Sequence, residues 1–140
     1  MMNVERTATI EQCAEGALSG EMEFPEIVGR LIDLGVERYH VDYTRQETTY
    51  YMPDGDSLVV ATPHLAHATP DTFRPEAVEA AVRQSQRNEH SFRDFIRKTM
   101  NAGCVGYFVQ ITGRRVIYFG RNGEAHVEHF PPAPIEESGP

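Results

Sequence analysis

His40 and Asp42 stand two residues apart in an alternating stretch, so a strand sets both on one face, opposite Tyr39, Val41 and Tyr43. An imidazole beside a carboxylate is the pairing used in general acid/base chemistry, with the carboxylate orienting the ring. No nucleophile lies in sequence reach of the pair, so no catalytic residue is assigned. Phe108 and Gln110 occupy the same strand positions 68 residues further along the chain. Polar groups beside an aromatic suit a small ligand or a second subunit. The binding candidates are therefore His40, Asp42, Phe108 and Gln110, with Tyr51 and Arg114 at the edge of the same expected pocket.

Other constellations fail on spacing. The chain has no Gly-x-x-x-x-Gly-Lys phosphate loop, no dinucleotide fingerprint, no Gly-x-Ser-x-Gly elbow and no His-Glu-x-x-His helix. Asp54-Gly55-Asp56 lacks the further acidic ligands of a calcium loop and reads as a hairpin turn. His64 and His67 fall in a proline-bounded connection. On the last strand His126 and Glu128 share a face that His129 opposes, and two same-face ligands are too few for a closed zinc site. Cys13 and Cys104 have no paired spacing and read as buried, reduced thiols. Neither a metal nor a cofactor is expected.

Composition narrows the partners. Thirteen basic against 21 acidic residues give a net charge of −8, which argues against broad affinity for nucleic acid or anionic membranes. The sign is uneven, since Arg93, Arg97, Lys98, Arg114, Arg115 and Arg121 make the later part locally basic. No apolar run approaches a membrane span and no signal sequence is evident, so a cytoplasmic location without a membrane partner is expected.

The elements that position these residues follow from periodicity. Phe24, Ile27, Val28, Leu31 and Ile32 recur at helical spacing and stop at Gly35, as Phe92, Phe95, Ile96 and Met100 stop at Gly103. Each glycine suits a left-handed position closing its helix. Pro25 fits a first helical turn, and Ser91 with Asp94 a capping box. Upstream helices are expected over residues 9–18, with Thr9 and Gln12 capping, and from Pro75. Beyond each glycine the period becomes alternating, with strands around Tyr39 and Tyr107, at 48–52 and 116–119, and at 58–61 and 125–130. Asp54-Gly55 and Asn122-Gly123 supply hairpin turns.

Phe24 matches Phe92, Gly35 Gly103, Tyr39 Tyr107, Val41 Val109, Tyr50 Tyr118, Gly55 Gly123 and Val59 Val127, always at a shift of 68. A gapless register of this kind marks an internal repeat. The expected fold is α+β: two tandem α-α-β-β-β repeats, about 8–61 and 75–130, related by pseudo-twofold symmetry, with antiparallel meanders packed on helices. Residues 1–130 form the domain, 62–74 connect the repeats, and 131–140 read as a disordered proline-rich tail.

The stretch Gly35-Val-Glu-Arg-Tyr-His-Val-Asp, the Tyr50-Tyr51-x-Pro-Asp-Gly turn, Asn101-Ala-Gly-Cys-Val-Gly-Tyr and Tyr118-Phe-Gly-Arg-Asn-Gly resemble the YdfO-like and YbcV-like family of small bacterial proteins. Some members lie in prophages and carry the label phage envelope protein. The resemblance spans roughly residues 10–130; it implies an α+β fold and carries over no catalytic residue. Packing glycines, turns and aromatics without a reaction signature favour a non-enzymatic module that binds a protein partner or a second copy of itself. The alternative is a small-molecule-binding protein or enzyme with a pocket near His40, Asp42, Tyr51 and Arg114.

Overall fold

Asn3 caps the first helix, its side-chain oxygen accepting the Arg6 amide at 2.7 Å. In this computed structural model, which describes residues 2–65 and 68–131, that helix is α1 (Val4–Ser19). It begins a turn and a half earlier than the Thr9 cap expected from sequence, because Asn3 offers an earlier acceptor for free amides. Thr9 instead donates its hydroxyl to the Glu5 carbonyl. Helix α2 (Phe24–Asp33) opens on Pro25, and α3 (Pro75–Gln86) opens on its own proline. In α4 (Phe92–Asn101) the Ser91 and Asp94 capping box is formed from both sides.

Three strands follow α2, namely β1 (Arg38–Asp42), β2 (Glu47–Tyr51) and β3 (Ser57–Ala61). Three more follow α4: β4 (Cys104–Gln110), β5 (Arg115–Gly120) and β6 (Ala125–His129). All pair antiparallel in one six-stranded sheet of order β3-β2-β1-β4-β5-β6. The two sets of three thus join through β1 and β4, with His40 opposite Phe108.

Strand alternation divides the sheet. Tyr39, Val41, Tyr50, Tyr107, Val109, Val116 and Tyr118 are buried and share one core with Ile10, Cys13, Leu31, Val78, Phe95 and Ile96 from the four helices. Phe95 meets Tyr107 edge-on, with ring centroids 6.2 Å apart. Burying an aromatic of this size contributes roughly 2–3 kcal/mol, so the tyrosine rows fix which face turns inward. A sheet slipped by one residue would bury Arg38, His40 and Asp42 instead. Tyr43 continues the inner face past β1, and its hydroxyl meets that of Thr99 at 2.7 Å in the core. Burial pushes the Tyr39, Tyr43 and Tyr107 phenols well above their ordinary value.

Gly35 and Gly103 take φ values of 84° and 92°, the left-handed conformation expected after α2 and α4. Cys13 and Cys104 are buried free thiols, and burial pushes Cys104 up to about 11. No helix among the described residues is long and apolar enough to cross a membrane. His67 and the tail from residue 132 lie outside the described residues.

Candidate functional site

The outer face of the sheet, away from the helices, carries three rows that run across all six strands. Register places Val59, Thr49, His40, Phe108, Ile117 and Val127 in the middle row. On one side of it run Tyr51, Arg38, Gln110 and Arg115, and on the other Glu47, Asp42, Gly106 and Phe119. Each strand supplies alternate residues to this face, which is why the pairs Arg38 and His40, or Phe108 and Gln110, arrive together.

The middle row is apolar apart from His40 and Thr49. His40 stacks on Phe108 with centroids 4.4 Å apart and planes inclined by 14°, and Phe119 meets Phe108 edge-on at 5.8 Å. Phe119 stands opposite Gly106 in the register. Val59 and Val127, at the two outer strands, are 54% and 40% exposed. Apolar side chains lined up on a face that no described helix covers are the unusual feature here, because single exposed ones are ordinary.

The six binding candidates do not converge on one pocket. His40, Phe108 and Gln110 share the face, and Tyr51 joins it beside Arg38, whose guanidinium lies 4.3 Å from the Tyr51 ring centre. Arg38 also pairs with Glu37. The Asp42 carboxylate accepts the Thr44 and Arg45 amides at 3.1 and 3.2 Å, so it shapes the β1–β2 turn. Arg114 lies in the β4–β5 turn at φ 55°, donates to the Pro131 carbonyl and sits over the Phe130 ring. Burial lowers the His40 pKa, against the opposing pull of Asp42.

Two open clefts occur elsewhere. One is lined by Ile32, Gly35, Val36, Pro53 and Ile111, the other by Tyr43, Thr69, Met100, Val105 and Arg121. Neither includes any of the six candidates.

Folding assembles one constellation that sequence reading missed and adds members to another. Ser85, His90 and Lys98 form a chain: the Ser85 hydroxyl lies 2.8 Å from His90 Nε2, and Lys98 Nζ lies 2.9 Å from Nδ1. It resembles a nucleophile with its base, but the third member has the wrong polarity. A lysine ammonium donates to Nδ1, which leaves the proton on Nε2, and that ring donates to Ser85 rather than receiving its proton. Burial and the Lys98 charge both lower the His90 pKa.

Glu79 of α3 brings a third potential ligand to His126 and Glu128, the ligand atoms lying within 4.8 Å of one another. Arg83 already occupies the group, donating to Glu79 at 3.2 Å and Glu128 at 3.1 Å, while His126 Nε2 lies 2.6 Å from Glu128. A guanidinium supplies the positive charge a cation would bring, and the cluster ties α3 to β6. Its signs in sequence were separate: His126 and Glu128 on one strand face, and Glu79 four residues before Arg83, the spacing of a helical ion pair.

No family model matches this chain. Two relatives, one from Mycobacterium bovis and one from Mycobacterium tuberculosis, are named only as uncharacterized proteins. Each is 34% identical over 67 residues, which is 48% of this chain and 40% of the relative. The match therefore spans well under half the length of the curated relatives.

Proposed function

We propose that this protein is a non-enzymatic interaction module whose working surface is the outer face of the sheet. The observation that carries the reading is the row of Val59, Phe108, Ile117 and Val127, exposed at Val59 and Val127 and half-buried at Phe108 and Ile117, with His40 stacked in its middle. A sheet this wide normally hides such a row under a second layer, and all four helices pack on the opposite face. The partner is another protein or a second copy; nucleic acid and membrane do not suit a chain of net charge −8. The cytoplasm is the proposed location.

The same proposal includes an internal duplication, two α-α-β-β-β units related by a pseudo-twofold axis between β1 and β4. Its support is the constant shift of 68 together with the element order. Kinship with the YdfO-like and YbcV-like proteins is part of the proposal, on the motif resemblance alone. The small-molecule alternative, a pocket near His40, Asp42, Tyr51 and Arg114, has less support because Arg114 and Asp42 are engaged at two different turns.

The test is capture from native cytoplasm with wild-type, Phe108→Glu and His40→Ala proteins, beside a thermal-shift screen of small metabolites. The expected result is a companion protein or second copy retained by wild type, weakened but still captured by His40→Ala, and lost by Phe108→Glu. A metabolite that stabilises wild type but not His40→Ala, with companions unchanged by Phe108→Glu, would reverse the two readings.

A further inference from the structure

The outer face is sorted by charge along the strand direction. Arg38 and Arg115 lie on one side of the apolar row, and Asp42 and Glu47 on the other. We infer that a second copy of this chain covers the face, through a twofold axis running along the row of His40 and Phe108. This rests on the proposed interaction face and names its occupant.

An isologous interface must be self-complementary under its own axis. Turning a copy about the middle row lays apolar row on apolar row and sets the arginine side of each copy over the acidic side of the other, with Arg38 facing Asp42. An axis along the strands would instead put the acidic side over itself. Glu37 lies beside Arg38 and Arg45 beside Glu47, so both fields are partly compensated. The charges then decide the register of the two copies more than their affinity.

Area bounds the strength. A face six strands wide and five residues long is about 29 Å by about 16 Å, on the order of 500 Å² per copy. Standard stable interfaces take about 800 Å² per partner, so the dimer forms with concentration and the monomer is folded.

The experiment combines sedimentation of wild type, Phe108→Glu and Val127→Glu with cross-linking by a short bismaleimide. Ser57 and Ala61 lie at opposite ends of β3, exposed and on the outer face, and the proposed axis sets Ser57 of one copy against Ala61 of the other. The native thiols are buried. A mixture of Ser57→Cys and Ala61→Cys proteins is expected to cross-link, and either alone is not. Each glutamate variant is expected to weaken the dimer at least about tenfold with little change in unfolding midpoint; Val127, half-exposed on an edge strand, keeps the test open if Phe108→Glu misfolds.

A wild type that stays monomeric at every concentration, or single-site samples that cross-link as well as the mixture, would overturn the inference. If that monomer still captures a companion that Phe108→Glu loses, the interaction face stands and only its occupant is wrong. A dimer indifferent to both glutamates removes the face from both readings.

Discussion

His40 of β1 and Phe108 of β4 stand directly opposite in the register, and their rings lie parallel within 14° at 4.4 Å. The pair sits where the first three strands meet the last three, on the face that none of the described helices covers. It therefore reports on both the central strand pairing and the solvent side of the sheet.

Acid should weaken the fold through His40. Burial lowers its pKa below the ordinary 6.5, with Asp42 pulling the other way. Between the two values the unfolded chain binds more protons, so stability is complete above the unfolded pKa and falls as pH drops through the folded one. His90 shifts in the same direction and adds to the slope. Urea unfolding at about pH 7.5 and about pH 5 should show a smaller loss in His40→Phe than in wild type. An identical loss would remove His40 as a source.

The two helix-closing glycines should differ in their tolerance of a side chain. At Gly35 a Cβ would meet only Met52 at 3.7 Å, so Gly35→Ala is charged with the left-handed backbone alone, about 1–2 kcal/mol. At Gly103 a Cβ would fall 2.2 Å from the Thr72 carbonyl oxygen and 2.8 Å from Phe73 Cα. Gly103→Ala should exceed the Gly35→Ala loss by about 1–3 kcal/mol, measured by urea midpoint at constant slope. Equal losses would mean that residues 72–73 move aside freely.

Tyr43 and Thr99 should behave as a coupled pair. Their hydroxyls meet at 2.7 Å in the core, and Thr99 also lies 2.9 Å from the Phe95 carbonyl oxygen. Thr99→Val leaves the buried Tyr43 hydroxyl short of a partner, at about 1–3 kcal/mol, whereas after Tyr43→Phe the Thr99 hydroxyl still donates to the Phe95 carbonyl and the loss should be smaller. The double variant leaves neither and should lose less than the sum of the two. Strict additivity in the cycle would show that the contact is not made in solution.

The cluster at α3 and β6 should respond unevenly. The Glu128 side chain is 12% exposed and the Glu79 side chain 50%. Glu79→Ala removes a screened pair and should cost below about 1 kcal/mol. Arg83→Met leaves the enclosed Glu128 with His126 alone beside it and should cost about 2–4 kcal/mol. A larger loss for Glu79→Ala than for Arg83→Met would reverse the roles given to the two residues.

Much of this molecule was legible in one dimension. Helical spacing that ends at Gly35 and Gly103, and alternation that begins at Tyr39 and Tyr107, are local signals, because side-chain direction along a helix or strand depends only on the neighbours in sequence. The same alternation placed His40 with Asp42 and Phe108 with Gln110 on the face opposite the tyrosines. Helix caps were less secure, as Asn3 shows: several polar residues near an end can accept the free amides, and packing chooses among them. Which strands become neighbours is a different kind of information. Pairing β1 with β4 joins residues some 68 apart in sequence, and only contacts made across the closed loop reward that closure. Tertiary structure therefore decided that His40 meets Phe108, that Ile117 and Val127 extend their row, that Glu79 and Arg83 reach Glu128, and that Arg114 turns away to Pro131.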